Sequence, residues 1–100
     1  MTEFTLSENG ILGLMPISGI KRLLGSQLPA PEQGIGIPRC EIYLLVDHPL
    51  EYHERAIEAG AVELSRLQAR DWGHRAAYSL DPDAHVIAFA ERIELETDPK

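Results

Sequence analysis

"DWGHRAAYSLDPDAHVIAFAE", residues 71–91, decides how the second half of this 100-residue chain folds. Its middle, Asp81-Pro82-Asp83-Ala84, reads as a turn. Proline at the second turn position presets the backbone, and aspartate is a turn former in its own right. The runs on either side, Arg75–Leu80 and His85–Ala90, read as two strands, and Trp72-Gly73 makes a corner ahead of the first. The same stretch holds two histidines and three aspartates, so it also poses the question of a metal site.

The chain before this stretch supplies the partners of that hairpin. "AVELSRLQA" (61–69) alternates Val62, Leu64 and Leu67 imperfectly and reads as a strand. "HPLEYHERAIEAG" (48–60) changes to a helical period. Pro49 suits the first helical position, with Asp47 or His48 as candidate cap, and Gly60 suits the stop. Leu50, His53, Ala56 and Ile57 fall on one face of that helix, with the glutamates largely on the other. "RCEIYLLVD" (39–47) is a strand, a near-continuous run of β-formers. The order from Arg39 onward is β-α-β-β-β, which predicts an α+β fold: a mostly antiparallel sheet with its helix on one face.

Residues 25–38 are rich in Gly and Pro and read as a linker or mobile loop. The "GIGIP" inside it lacks the strand-to-helix setting of a nucleotide-binding loop. Ahead of it, Ser18 is a candidate cap for a helical turn over Ile20–Leu24, ended by Gly25. At the start, Asn9-Gly10 between two strand-like runs signals a hairpin of strands at about 2–7 and 11–15.

Composition narrows the function. The chain is 44% hydrophobic and 25% charged, ordinary for one globular domain. Nine basic residues stand against sixteen acidic ones, a net charge of −7, and only Lys21-Arg22 are adjacent. Such a chain repels a phosphate backbone, so nucleic acid is not an expected partner. Glu51, Glu54 and Glu58 on the helix, and Glu94, Glu96 and Asp98 in a polar tail (94–100), read as solvated surface. No apolar run has the length of a membrane span and no signal-peptide pattern opens the chain, so no membrane association and a cytoplasmic location are expected. The single cysteine, Cys40, excludes an internal disulfide and a cysteine-built zinc cage. At the head of a strand it reads as a half-buried thiol, with no His or Asp partner evident in the sequence.

The strand, "VDHPLEYHERAIEAGA", the next strand and "DWGHRAAYSLDPDAHVIAFAE" together resemble the second βαβββ module of the vicinal oxygen chelate (VOC) superfamily. That superfamily contains glyoxalases, bleomycin-resistance proteins and extradiol dioxygenases. The matching pieces are the helix ending in Ala59-Gly60-Ala61, the Trp72-Gly73 corner, and Asp81-Pro82-Asp83 before the last strand, in order over some sixty residues. The family fold pairs two such modules around a cavity. The resemblance implies one glyoxalase/bleomycin-resistance-like domain over residues 1–93. Its complete module spans about 39–93, and the opening hairpin is a two-strand remnant of a first module. The first module's opening strand, helix and second strand have no counterpart, which leaves two readings: a naturally short chain, or one begun at an internal start such as Met1. A hairpin without its sheet is marginal in water and its edges need cover, so a homodimer is expected.

In metal-dependent members of this superfamily, ligands come from the first and last strands of each module. The last first-module strand usually carries a Glu between two apolar residues, where this chain has Leu12-Gly13-Leu14. The second module's first strand usually carries a His near its start, where Glu41 stands, a weak metal candidate. The final strand usually supplies a Glu where this chain has Ala88, and Glu91 should face the other side. No cofactor is therefore expected, a divalent metal remaining the less favoured possibility. His48 and His53 read as helix-entry and helix-face residues, and His74 and His85 as solvated or turn-bonded. No catalytic residue is assigned.

What remains is the bleomycin-resistance type of relative, which sequesters a small organic ligand without chemistry. Sites of that kind combine apolar and aromatic walls with a few orienting polar groups. The cavity candidates are Phe4, Met15, Glu41, Tyr43, Trp72, His74, Arg75 and Tyr78, with Arg75 for an anion and Glu41 for a cation. The alternatives are a metal-dependent lyase or dioxygenase whose missing ligand comes from a partner chain, and a structural homodimer or fragment with no ligand of its own.

Overall fold

A computed structural model of the chain describes residues 1–93; the polar tail expected over 94–100 lies outside the described residues. The chain forms two compact units, Met1–Ile35 and Gly36–Lys100, divided inside the Gly- and Pro-rich stretch. Among the described residues there are two α-helices and six strands in two sheets, an α+β composition. None of the helices is long and apolar enough to cross a membrane.

In the first unit, β1 (Thr2–Ser7) and β2 (Gly10–Leu14) form the expected antiparallel hairpin across Glu8-Asn9. Neither Asn9 nor Gly10 takes the positive φ of the tightest hairpin turns; the register instead shifts between Thr5 and Ser7. Phe4 lies opposite Leu12 and Thr2 opposite Leu14, which puts Phe4, Leu12 and Leu14 on one face. Helix α1 (Ile17–Leu24) starts earlier than Ser18 suggested. Pro16, locked in extended backbone, ends the strand, and its carbonyl accepts the first helical bond from Ile20 N–H at 3.0 Å. Gly25 closes the helix at φ 65°, as expected. The stretch read as a loop holds two 3-10 turns, Gly25–Gln27 and Pro31–Gly34. Lys21 Nζ donates to Glu32 Oε2 at 2.6 Å, tying α1 to the second turn and holding the Glu32 carboxyl below its ordinary pKa. No residue from 1 to 35 is buried.

The second unit is a four-stranded sheet in the order β3-β6-β5-β4 with one helix. β3 (Glu41–Leu45) runs parallel to β6 (Val86–Arg92); β5 (His74–Leu80) and β4 (Val62–Ala69) continue antiparallel. Helix α2 (Pro49–Glu58) packs mainly on β5 and β6. It ends as the sequence suggests. Gly60 sits at φ 116°, with Gly60 N–H bonded to Ile57 O and Ala61 N–H to Ala56 O, a Schellman cap. Its inward face is rotated from expectation: Pro49 and His53 are buried while Leu50 is exposed, because the Pro49 ring takes the first inward position. Tyr52 stacks on Phe89 at 5.5 Å between centroids. The imperfect alternation of β4 has a cause: its register slips twice against β5, and Val62 and Leu64 are left exposed on the edge.

Among the described residues, the fully buried hydrophobic ones are four alanines, Ala76 and Ala77 on β5 and Ala88 and Ala90 on β6. Strand alternation assigns the faces. Ile42, Leu44, Glu63, Ala77, Ser79, Ile87 and Phe89 share the face that meets α2. Glu41, Tyr43, His74, Ala76, Tyr78, Ala88 and Ala90 share the opposite face.

Candidate functional site

The face of the sheet away from α2 carries the polar and aromatic chemistry, because its two central strands are lined with alanines. β6 contributes Ala88 and Ala90, and β5 contributes Ala76. Over this low floor, larger side chains from the flanking positions reach one another. Tyr43 on β3 crosses β6 to meet His74 on β5: its hydroxyl lies 2.7 Å from His74 Nδ1, with the two rings 5.7 Å apart.

Trp72 completes this chain because of the β4–β5 connection. Arg70 N–H bonds His74 O at 2.8 Å, closing a three-residue loop of Asp71, Trp72 and Gly73. Gly73 takes φ 87°, the left-handed position that such loops need at their third residue. Trp72 is thereby lifted to the tip, and its Nε1–H donates to the Tyr43 hydroxyl at 2.9 Å. The indole remains 52% exposed, so it offers a flat open face.

Tyr78 lies on the same face, covered by Arg70, whose guanidinium carbon is 5.0 Å from the ring centroid. Arg70 is pinned there by Nε and Nη2 bonds to Ala76 O, with further Nη2 bonds to Ser65 Oγ and Arg66 O. Burial holds the Tyr78 phenol above its ordinary pKa. The nearby Glu41 carboxylate and Tyr43 push the same way, and the Arg70 charge opposes them.

The residues singled out in the sequence divide between the two units. Glu41, Tyr43, Trp72, His74 and Tyr78 come together on this face. Arg75 points to the other side of the sheet, where its Nη1 donates to Glu91 Oε2 at 3.1 Å. Phe4 and Met15 belong to the first unit. Phe4 is on the hairpin, and Met15 lines a shallow groove of about 660 Å³ with Pro16, Arg22 and Leu23. His74, read as solvated or turn-bonded, is part-buried and bonded to Tyr43 instead. His53 is buried against the sheet with Nε2 2.9 Å from Glu63 Oε2, while its Nδ1 and the Ser79 hydroxyl have no partner among the described residues.

Two contacts were invisible in the sequence. Nothing in a lone arginine before a turn shows that the stem of Arg70 will fold back over Tyr78. Cys40 is exposed rather than half-buried, and its Sγ lies 3.9 Å from His85 Nδ1. That pairing needs the parallel register of β3 and β6, which sets Glu41 beside Val86 and so brings together residues 45 positions apart. Among the described residues, no group of three or more His, Cys, Asp or Glu is gathered as a metal would need. No protein-family model and no curated protein matches the chain.

Proposed function

We propose that this chain is a glyoxalase/bleomycin-resistance/dioxygenase (VOC) superfamily protein that binds a small organic molecule without transforming it. The binding surface is the open face of the β3-β6-β5-β4 sheet. The β-α-β-β-β order, with its first and last strands parallel and adjacent at one side of the sheet, supports the module assignment. The observation that carries the binding reading is the Trp72–Tyr43–His74 chain laid over buried alanines. It gives an exposed aromatic face beside fixed polar groups, features that small-molecule sites use. The working unit is a homodimer: residues 1–35 bury nothing fully, and a two-strand hairpin needs more surface to be stable.

A thermal-shift screen with divalent metals, cationic drugs and small organic acids tests the reading. An organic ligand raising the melting temperature by several degrees, equally in the presence of chelator, is the expected result. A shift obtained only with metal would favour the lyase or dioxygenase alternative. No shift from any class would leave the structural-homodimer reading. Light scattering tests the dimer separately, and a folded monomer at micromolar concentration would refute it.

A further inference from the structure

The hydrogen-bond chain on the open face ends at His74, and the groups around that end select a ligand. Trp72 Nε1–H can only donate, so it occupies an acceptor position of the Tyr43 hydroxyl. The arrangement in which the Tyr43 proton serves His74 Nδ1 leaves the hydrogen on His74 Nε2. In that arrangement the chain ends in an N–H donor that has no partner among the described residues.

Two arginines neighbour His74 along the backbone. His74 is the direct cross-strand partner of Arg92, and directly opposed residues hold their Cβ atoms roughly 5 Å apart on one face. Arg70, on the other side, spends its hydrogen bonds on carbonyls and a hydroxyl. No carboxylate lies within 4 Å of it among the described residues, so its charge is not cancelled locally. Among the described residues, the acids of β3 and β6 lie elsewhere. Glu91 faces the α2 side and holds Arg75, and Glu41 pairs with Val86, six residues up β6 from Arg92, about 20 Å of strand. Asp47 and Asp71, just beyond β3 and β4, form no ion pair with either arginine.

Resting on the binding reading above, we infer that the site takes a flat organic acid. Its ring lies on the exposed Trp72 indole, and its carboxylate accepts from His74 Nε2–H and Arg92. A carboxylate meeting these donors gains charge-assisted hydrogen bonds, which a cation of the same shape replaces with repulsion.

Trp72 is the chain's only tryptophan, so its fluorescence reports this site directly. The test titrates the full-length protein with 2-naphthoate, 2-naphthalenemethanol and 2-naphthylmethylamine, one ring with three headgroups. The acid should bind at least about tenfold tighter than the amine, and Arg92→Gln should bring the acid-to-alcohol affinity ratio close to one. Arg92 is exposed at the end of β6, and circular dichroism checks that the variant is folded. An amine that binds as tightly as the acid, or an unchanged ratio in the variant, overturns this inference and leaves the binding reading standing. If none of the three binds, the inference falls, and the ligand screen above decides the binding reading.

Discussion

Ala84 closes the turn between β5 and β6 with φ at 70°, the only positive φ among the described non-glycine residues. The turn is otherwise well made. Ala84 N–H bonds Asp81 O at 2.8 Å, and Asp81 Oδ1 accepts the N–H groups of Asp83 at 2.8 Å and His85 at 2.9 Å. An L-residue with a Cβ loses about 1–2 kcal/mol in this region, because the Cβ crowds the following carbonyl. Ala84→Gly removes that strain. Against it stand about 0.4–1 kcal/mol from the freer unfolded chain and about 0.3 kcal/mol for a half-buried methyl. The net expectation is a gain of about 0.5 kcal/mol, or roughly 2–4 °C in melting temperature for a domain of this size. Thermal and urea unfolding followed by circular dichroism measure it, with Ala84→Val as the opposite arm. A β-branched residue at this φ should destabilise clearly. A destabilised glycine variant together with a wild-type-like valine variant would refute the strain argument.

Three further outcomes follow from the geometry. Ser79→Ala should be neutral or stabilising by about 1 kcal/mol, since it removes a buried hydroxyl without a protein partner; a clear loss in urea unfolding would mean that the hydroxyl is satisfied, as by an internal water. Tyr43→Phe should cost about 1 kcal/mol and shift the Trp72 emission, because it strips the partner from both Trp72 Nε1 and His74 Nδ1; unchanged emission and melting temperature would contradict the chain. With its pKa raised in the fold, Tyr78 ionises later than in the unfolded chain, so its contribution to stability is complete below about pH 10 and is lost as pH rises through the folded value. Phenol absorbance should show a late-ionising phase that is absent in Tyr78→Phe; a profile unchanged by that substitution would refute it.

The elements were largely legible where local chemistry fixes them. Gly60 after an amphipathic run, Pro49 at a helix start, Asp-Pro-Asp ahead of a β-rich run and Asn-Gly between two strands all act within a few residues of themselves. The structure places an element boundary at each. Sequence and structure part where local chemistry leaves the face of an element open. Leu50 and His53 are both compatible with the inward side of α2, and the proline ring decided against Leu50. On β4 the simple period of two failed because two register slips intervene.

Of the candidate site, the residue types could be read but not their company. Tyr43, Trp72 and His74 stood out as polar aromatics; that one hydrogen-bonded chain joins them depends on β6 lying between β3 and β5. The same holds for Arg75. One residue from His74, it faces the opposite side and spends its charge on Glu91.

The sequence by itself determined which segments become strands, helices and turns, because those are short-range properties of backbone sterics and hydrogen bonding. Only the tertiary structure decided which face each side chain takes, that Arg70 covers Tyr78, and that Cys40 meets His85. Those facts depend on strand order and register, which pair residues distant in the chain, and a shift of one residue would send each side chain to the other face.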